Sequence, residues 1–322
     1  MRPSLANYWH PLCLADDVTT QPKPFRLLGE GIVAFRDEHG VSAFKDLCIH
    51  RGTALSLGTI TDGRLTCAYH GWQYDRTGAC VHIPALPAGS SIPRKARAIV
   101  YRAQEKYGLV WVAMAEPVAE VPAWPLNPWN EPSFEVFMTG RNIVRTSAGR
   151  TIENAMDFSH FNFVHRGYTE LADGPIIKSH QVVETDFGLQ YEYDDSLIIR
   201  RYMLYAPFTL HDVKIQRNGD TSVLTIVASP LDEKLSEVYQ FTARNHSGAT
   251  GTKDHGRLKD RAAVVENART IFEQDRRIIE SQRPEEIPTD LRDELHLKVP
   301  DASGIAYRRL LSGISGATPF MP

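Results

Sequence analysis

Apolar and polar residues alternate in short runs from Gly31 to Met114: GIVAFRD, VSAFKDL, LTCAYHGWQYD and EKYGLVWVAM, separated by turn segments such as EHG and RTG. Short runs with a period of two, closed by glycine and polar residues, predict a small all-β domain. The pattern then breaks. Residues 116–133, EPVAEVPAWPLNPWNEPS, hold five prolines, a density that excludes a helix or a central strand because each proline removes a backbone donor and fixes φ. Beyond it the pattern predicts one helix around 150–166, antiparallel strands over about 176–245 and a long helix over 257–282. In that last helix Ala262, Val265, Ala268, Ile271, Phe272, Ile278 and Ile279 recur at helical spacing. The fold class expected is α+β. An all-β domain spans residues 1–115, a Pro-rich connection 116–133, and a second domain with an antiparallel sheet flanked by helices 134–322.

At 322 residues, 42% hydrophobic and 23% charged, the chain has room for two ordinary globular domains. A formal net charge of −3 without a basic tract argues against nucleic acid or an anionic membrane surface as a partner. No run approaches the roughly 18 apolar residues of a membrane span. The apolar residues near the N-terminus are interrupted by Asn7, His10, Pro11 and Asp16, unlike a signal peptide, so a cytoplasmic location is expected. There the sequence Asn245-His246-Ser247 is expected to carry no sugar. Arg141, Arg145 and Arg150 read as one solvated strand face in preference to a docking site for an acidic partner. No phosphate-binding glycine loop is present, so the chain is not expected to bind a nucleotide or NAD(P)H itself.

The chemistry lies in two clusters of metal-ligating residues. Cys48 and His50 occur in CIHRG, Cys67 and His70 in CAYHGW, with sixteen residues between the halves. Each half supplies one thiolate and one imidazole, so two loops can hold two irons unequally, as in a Rieske 2Fe-2S cluster. Imidazoles in place of two thiolates reduce the negative charge around the irons, which raises the potential from roughly −400 mV to between about −150 and +300 mV. The alternative is a structural zinc site, although zinc modules usually pair Cys with Cys and His with His at wider spacings. Cys13 and Cys80 remain over and read as inert buried thiols. The second cluster is ENAMDFSHFNFVH, which places Asp157, His160 and His165 within nine positions. Two His and a carboxylate leave open positions on an iron that activates dioxygen. On a continuous helix His160 and His165 would stand about 140° apart, so both reach one metal only if the helix ends or distorts between them, and Gly167 is compatible with such an end. A third ligand is expected from a distant segment. In the long helix Glu273, Asp275 and Glu280 are available, and Asp275 lies in its most apolar stretch.

With CIHRG, CAYHGWQYDRTGAC, KYGLVWV, ENAMDFSHFNFVH and FEQDRRIIESQRP together, the chain resembles the oxygenase subunits of Rieske non-heme iron oxygenases over nearly its whole length. Among them it is most similar to the short type that includes vanillate and dicamba O-demethylases and caffeine N-demethylase. The resemblance implies that Cys48 and Cys67 hold one cluster iron, that His50 and His70 hold the other, and that His160, His165 and Asp275 hold a mononuclear Fe(II). It implies that Asp157 links His70 of one subunit to His160 of the next in a head-to-tail homotrimer, and that Asn154 stands near the iron. It further implies a separate flavin and iron-sulfur reductase or a ferredoxin, which passes electrons from NAD(P)H to the cluster. The expected reaction is oxidation by dioxygen of a small aromatic or heterocyclic substrate with loss of an O- or N-methyl group as formaldehyde. Ring hydroxylation without demethylation is the nearest alternative. A non-catalytic electron carrier is the reading from a different class, and the second ligand cluster argues against it.

Overall fold

The computed structural model describes residues 4–124, 131–245 and 260–314. Residues 125–130 of the Pro-rich connection, His246 and Ser247 of the glycosylation sequence, and positions 257–259 of the expected long helix lie outside them. The chain divides into two compact units, Ala6–Val121 and one that joins the segment up to Leu5 with the residues from Pro122 onward. The expected fold class is found: an all-β unit followed by an antiparallel sheet with a few helices.

The first unit contains β1 (His10–Leu14), β2 (Lys23–Leu27), β3 (Glu30–Asp37), β4 (Gly40–Lys45), β5 (Thr59–Thr61), β6 (Arg64–Thr66), β7 (Gln73–Tyr74), β8 (Cys80–His82), β9 (Val100–Lys106) and β10 (Leu109–Ala113). They form a six-stranded sheet in the order β1-β10-β9-β4-β3-β2 and a four-stranded sheet in the order β5-β6-β7-β8. Strand β3 shows why its sequence is a near-continuous apolar run. Successive side chains of a strand point to opposite faces, and here both faces are covered. Ile32 and Ala34 join one core with Leu12, Leu27 and Val110. Val33 and Phe35 join another with Phe44, Leu55, Leu65, Tyr74 and the thiols of Cys48 and Cys67. The loops that carry the cysteines are therefore built onto a packed core.

The second unit contains β11 (Phe134–Val144), α1 (Ala148–Met156), α2 (Phe161–Val164), β12 (Val182–Thr185), β13 (Gly188–Asp194), β14 (Ile198–Tyr205), β15 (Thr209–Gln216), β16 (Thr221–Asp232), β17 (Leu235–Asn245), α3 (Arg261–Ile279) and α4 (Ala302–Ser312). Its seven strands are antiparallel throughout, in the order β11-β17-β16-β15-β14-β13-β12. Helix α1 packs on β15, β16 and β17, α3 on β11, and α4 on β12 and β13. Ser147 caps α1 by accepting from the Arg150 backbone N–H at 3.2 Å, which satisfies one of the donors a helix start leaves open.

Arg150 corrects the reading of a solvated basic face. It sits on α1, not on a strand, and is 2% exposed. Its guanidinium meets Glu294 at 2.6 Å, and Arg308 of α4 bridges Glu294 at 2.6 Å and Glu153 at 2.5 Å. Two cations and two carboxylates thus neutralise one another beneath the helices. Taking one partner from such a buried set leaves an uncompensated charge and costs about 3–5 kcal/mol. The network matters for function because α1 leads directly into the second ligand cluster.

Candidate metal centres

The two cysteine loops of the first unit are built alike. In each, the Cys N–H donates to a carbonyl five residues on, Cys48 to Thr53 at 2.8 Å and Cys67 to Trp72 at 2.9 Å. In each, the Cys carbonyl accepts from a glycine four residues on, from Gly52 at 2.9 Å and Gly71 at 3.0 Å. Both glycines have positive φ, +74° and +67°, a conformation that side chains disfavour. Each turn thus carries its Cys and the His two or three residues later on one short loop.

The two loops converge. The imidazoles of His50 and His70 lie 4.6 Å apart, centre to centre, and each cysteine is 2% exposed. Trp72 stacks on His50 at 4.5 Å with the rings within 8° of parallel, and the Tyr74 hydroxyl lies 3.1 Å from the Cys48 sulfur. Burial pushes the Cys48 thiol up and, with the nearby charges of His70 and Arg51, pushes His50 down. The Nδ1 atom of His50 is buried and meets no hydrogen-bond partner. A neutral imidazole with an unmatched buried nitrogen beside two buried thiols is the donor set an iron-sulfur cluster of mixed ligation takes. Cys13 and Cys80 are also buried free thiols. Cys80 shares the core of Cys48 and Cys67, but its sulfur contacts the His82 carbonyl at 3.5 Å.

In the second unit α1 stops at Met156, whose carbonyl accepts a hydrogen bond from the Tyr191 hydroxyl. Asp157 then turns extended, with φ −81° and ψ 134°. This break separates α1 from α2, a single turn flanked by His160 and His165. The Arg200 guanidinium lies 4.9 Å over the ring of Phe161 and pairs with Asp212 at 3.1 Å, which ties the turn to the sheet. Both histidines aim Nε2 at one point. Those two atoms are 3.2 Å apart, and Asp275 Oδ1, arriving on α3, lies 3.4 Å from His160 and 3.2 Å from His165. Asn154 Nδ2 donates to the same carboxylate oxygen at 3.4 Å. Among the described residues this trio forms a group whose donor atoms all lie within 4.8 Å of one another.

The opposite ring nitrogens are also engaged. His160 Nδ1 meets Asp157 Oδ2 at 3.0 Å, while Ser159 donates to Asp157 Oδ1 from its backbone and its hydroxyl at 2.8 and 2.6 Å. His165 Nδ1 meets Gln274 Oε1 at 2.9 Å. Burial works against a charged imidazole at His160, but the carboxylates of Asp157 and Asp275 outweigh it and hold the ring up to about 9. Burial would raise Asp275, and the two imidazoles pull it down instead. A proton on His160 therefore balances the carboxylates, and a divalent cation among the three donors would take over that role. Two imidazoles and one carboxylate match the donor set of a non-heme Fe(II) site with open positions. The competing acids are engaged elsewhere: Glu280 accepts from the Arg145 backbone N–H at 3.0 Å, and Glu273 pairs with Arg276 at 3.1 Å.

Residues 8–102 match the Rieske [2Fe-2S] domain, and residues 144–201 and 198–315 match the vanillate O-demethylase oxygenase C-terminal domain. The chain is 30% identical to methylxanthine N1-demethylase NdmA of Pseudomonas putida, an alignment covering 98% of this chain and 91% of that one. The chain belongs to the Rieske oxygenases of the vanillate O-demethylase type. Methylxanthine N3-demethylase NdmB of Pseudomonas putida is 31% identical to this oxygenase over 88% of the chain and 83% of its own length. The solved structure of Pseudomonas putida CBB5 NdmA superposes on it with a TM-score of 0.82 at 29% identity, covering 95% of this chain and 89% of that one. Dicamba monooxygenase bound to dicamba shares the fold, with a TM-score of 0.79 at 19% identity over 97% of this oxygenase and 98% of that chain. The oxygenase therefore carries a Rieske 2Fe-2S domain and acts as an oxidoreductase, with an electron-transfer partner and dioxygen. No helix among the described residues is long and apolar enough to cross a membrane.

Two residues escaped the sequence reading. Tyr74 faces Cys48 across 26 positions and Gln274 faces His165 across 109. For Gln274 a local signal existed: it precedes Asp275 on the same helix.

Proposed function

We propose that this oxygenase removes an N- or O-linked methyl group from a small aromatic or heterocyclic compound. The overall change is balanced by one dioxygen, two electrons and two protons: the methyl group leaves as formaldehyde, one oxygen atom goes with it and the other becomes water. The carrying observation is that both halves of the chain align, over nearly its full length, with N-demethylases.

In this reading residues 1–115 form the Rieske domain, 116–133 the connection and 134–322 the catalytic domain. Cys48, Cys67, His50 and His70 hold the cluster, and His160, His165 and Asp275 hold a mononuclear Fe(II). Bound there, the two groups supply electron relay and dioxygen activation. The protein's own part is orientation. Asp157 fixes the His160 ring through Nδ1, and its side chain keeps 33% of its surface exposed, room for a second imidazole donor, His70 of a neighbouring copy in a head-to-tail homotrimer. Asn154 steadies the Asp275 carboxylate. Electrons come from NAD(P)H through a separate flavin and iron-sulfur reductase or a ferredoxin, in the cytoplasm.

Oxygen uptake and formaldehyde, followed together with a generic reductase across N-methyl and O-methyl compounds, test the proposal. One formaldehyde per dioxygen is expected. Oxygen consumption with a hydroxylated product and no formaldehyde would favour ring hydroxylation instead. The bridge has its own test. Asp157→Asn is expected to keep both metal centres, because the residue orients ligands without being one, yet to slow reoxidation of the reduced cluster and turnover about 10- to 100-fold. Single-turnover kinetics with pre-reduced protein, substrate and oxygen reads that step. Reoxidation at the parent rate would leave Asp157 with only the orientation of His160.

A further inference from the structure

The two ring nitrogens that face away from the metal pocket have unlike partners, an anionic carboxylate on His160 and a neutral amide on His165. We infer that Gln274 is a positioning residue of the mononuclear site: its amide oxygen accepts the Nδ1 proton of His165, fixes the tautomer that leaves Nε2 as the metal donor, and makes α3 responsible for two of the pocket's constraints. The inference rests on the reading of His160, His165 and Asp275 as the ferrous site.

The chemistry of imidazole makes the orientation decisive. A neutral ring has one N–H and one lone pair, and only the nitrogen with the lone pair can ligate a cation. An acceptor at Nδ1 keeps the proton there. His165 is 1% exposed, so no bulk water competes for that nitrogen, and Gln274 Oε1 at 2.9 Å is the contact that decides it. The His165 ring is otherwise held by the turn of α2 and by the tilted ring of Phe161, 5.8 Å away between ring centres, neither of which distinguishes the two tautomers, while Asp275 Oδ1, 3.2 Å from Nε2, draws the proton the other way and leaves Gln274 as the contact that opposes it. Gln274 and Asp275 are consecutive, about 100° apart around α3. One helix thus sets both the carboxylate in the pocket and the tautomer of a histidine 109 positions earlier. A neutral acceptor raises the donor strength of the ring less than a carboxylate does, so the two histidines are unequal donors by construction.

Three proteins decide the matter: the parent, Gln274→Met and Gln274→Glu. Ferrous ion is added to each after removal of the mononuclear metal, and its dissociation constant is measured by chelator competition and by the iron-dependent rise in Tm. Gln274→Met, similar in size but without the amide, is expected to bind ferrous ion about 10- to 100-fold more weakly, with an iron-free Tm lowered by a few degrees, because a buried donor loses its acceptor, and an unchanged cluster spectrum. Gln274→Glu can only accept, so it is expected to restore binding and to shift the EPR signal of a nitric oxide probe on the ferrous site as His165 becomes the stronger donor. Parent-like binding in Gln274→Met overturns the inference alone. So does a Gln274→Glu protein as weak as Gln274→Met, since an amide that donated to Nδ1 could not be replaced by a carboxylate. A parent that binds no ferrous ion overturns both the inference and the site assignment beneath it.

Discussion

Asp275→Ala is expected to retain the visible spectrum and reduced-state EPR signal of the Rieske cluster while losing the mononuclear iron and more than about a hundredfold of turnover, the upper range for residues that merely support ligands. Asp275 supplies an oxygen that lies within 3.4 Å of both Nε2 atoms. Without it the pocket offers two neutral imidazoles and no anion to balance a divalent cation. Glu280→Ala is the control, because that carboxylate holds the Arg145 backbone N–H, and it is expected to keep its iron. Iron analysis, EPR and oxygen uptake on both variants check the assignment. An empty site in Glu280→Ala together with an active Asp275→Ala would show that the wrong acid was chosen.

Cys48→Ser should abolish the cluster outright. Iron is expected to fall from roughly three per chain to roughly one, and the red-brown colour and the low average g values of the mixed-ligand cluster should vanish. Cys48 is 2% exposed, on a loop whose backbone repeats that of the Cys67 loop, so a hydroxyl there removes one of the two thiolates the proposed cluster uses. Cys80→Ser tests the choice of thiol, since Cys80 lies in the same core. Burial keeps its thiol protonated and its sulfur faces the His82 carbonyl. The spectrum of Cys80→Ser is expected to match the parent; its loss, or survival of the cluster in Cys48→Ser, would sink the ligand assignment.

What could be read from the chain without coordinates follows the range of the interactions. CIHRG and CAYHGW are legible because each ligand pair and its turn glycine lie within five residues. The pair His160 and His165 is legible for the same reason, and the 140° problem it raised is met by a turn that ends at His165. Asp275 could not be separated from Glu273 and Glu280 by periodicity, because what disqualifies the other two is a backbone N–H at Arg145 and a guanidinium at Arg276. Arg150 was misplaced for a related reason. Its spacing from Arg141 and Arg145 says nothing of Glu294, which turns an apparent surface charge into a buried one. Strands were read from alternation, but β11, the edge strand beside β17, preceded the expected run, and α4 was missed. Its helical pattern, ASGIAYRRLLS, puts buried Arg308 where a core position would normally be apolar.

The order of elements gives the proposed mononuclear site a second consequence. Six strands, β12 to β17, lie between His165 and the helix that carries Asp275. A cation held by His160, His165 and Asp275 would therefore work as a cross-link that encloses most of the sheet in one loop. In the chain-entropy model, pinning a loop of roughly 100 residues removes about 4.7 kcal/mol of freedom from the unfolded chain. The metal would thus serve as a clasp for the unit as well as its reagent, and a chain that loses it would lose the tie between α2 and α3.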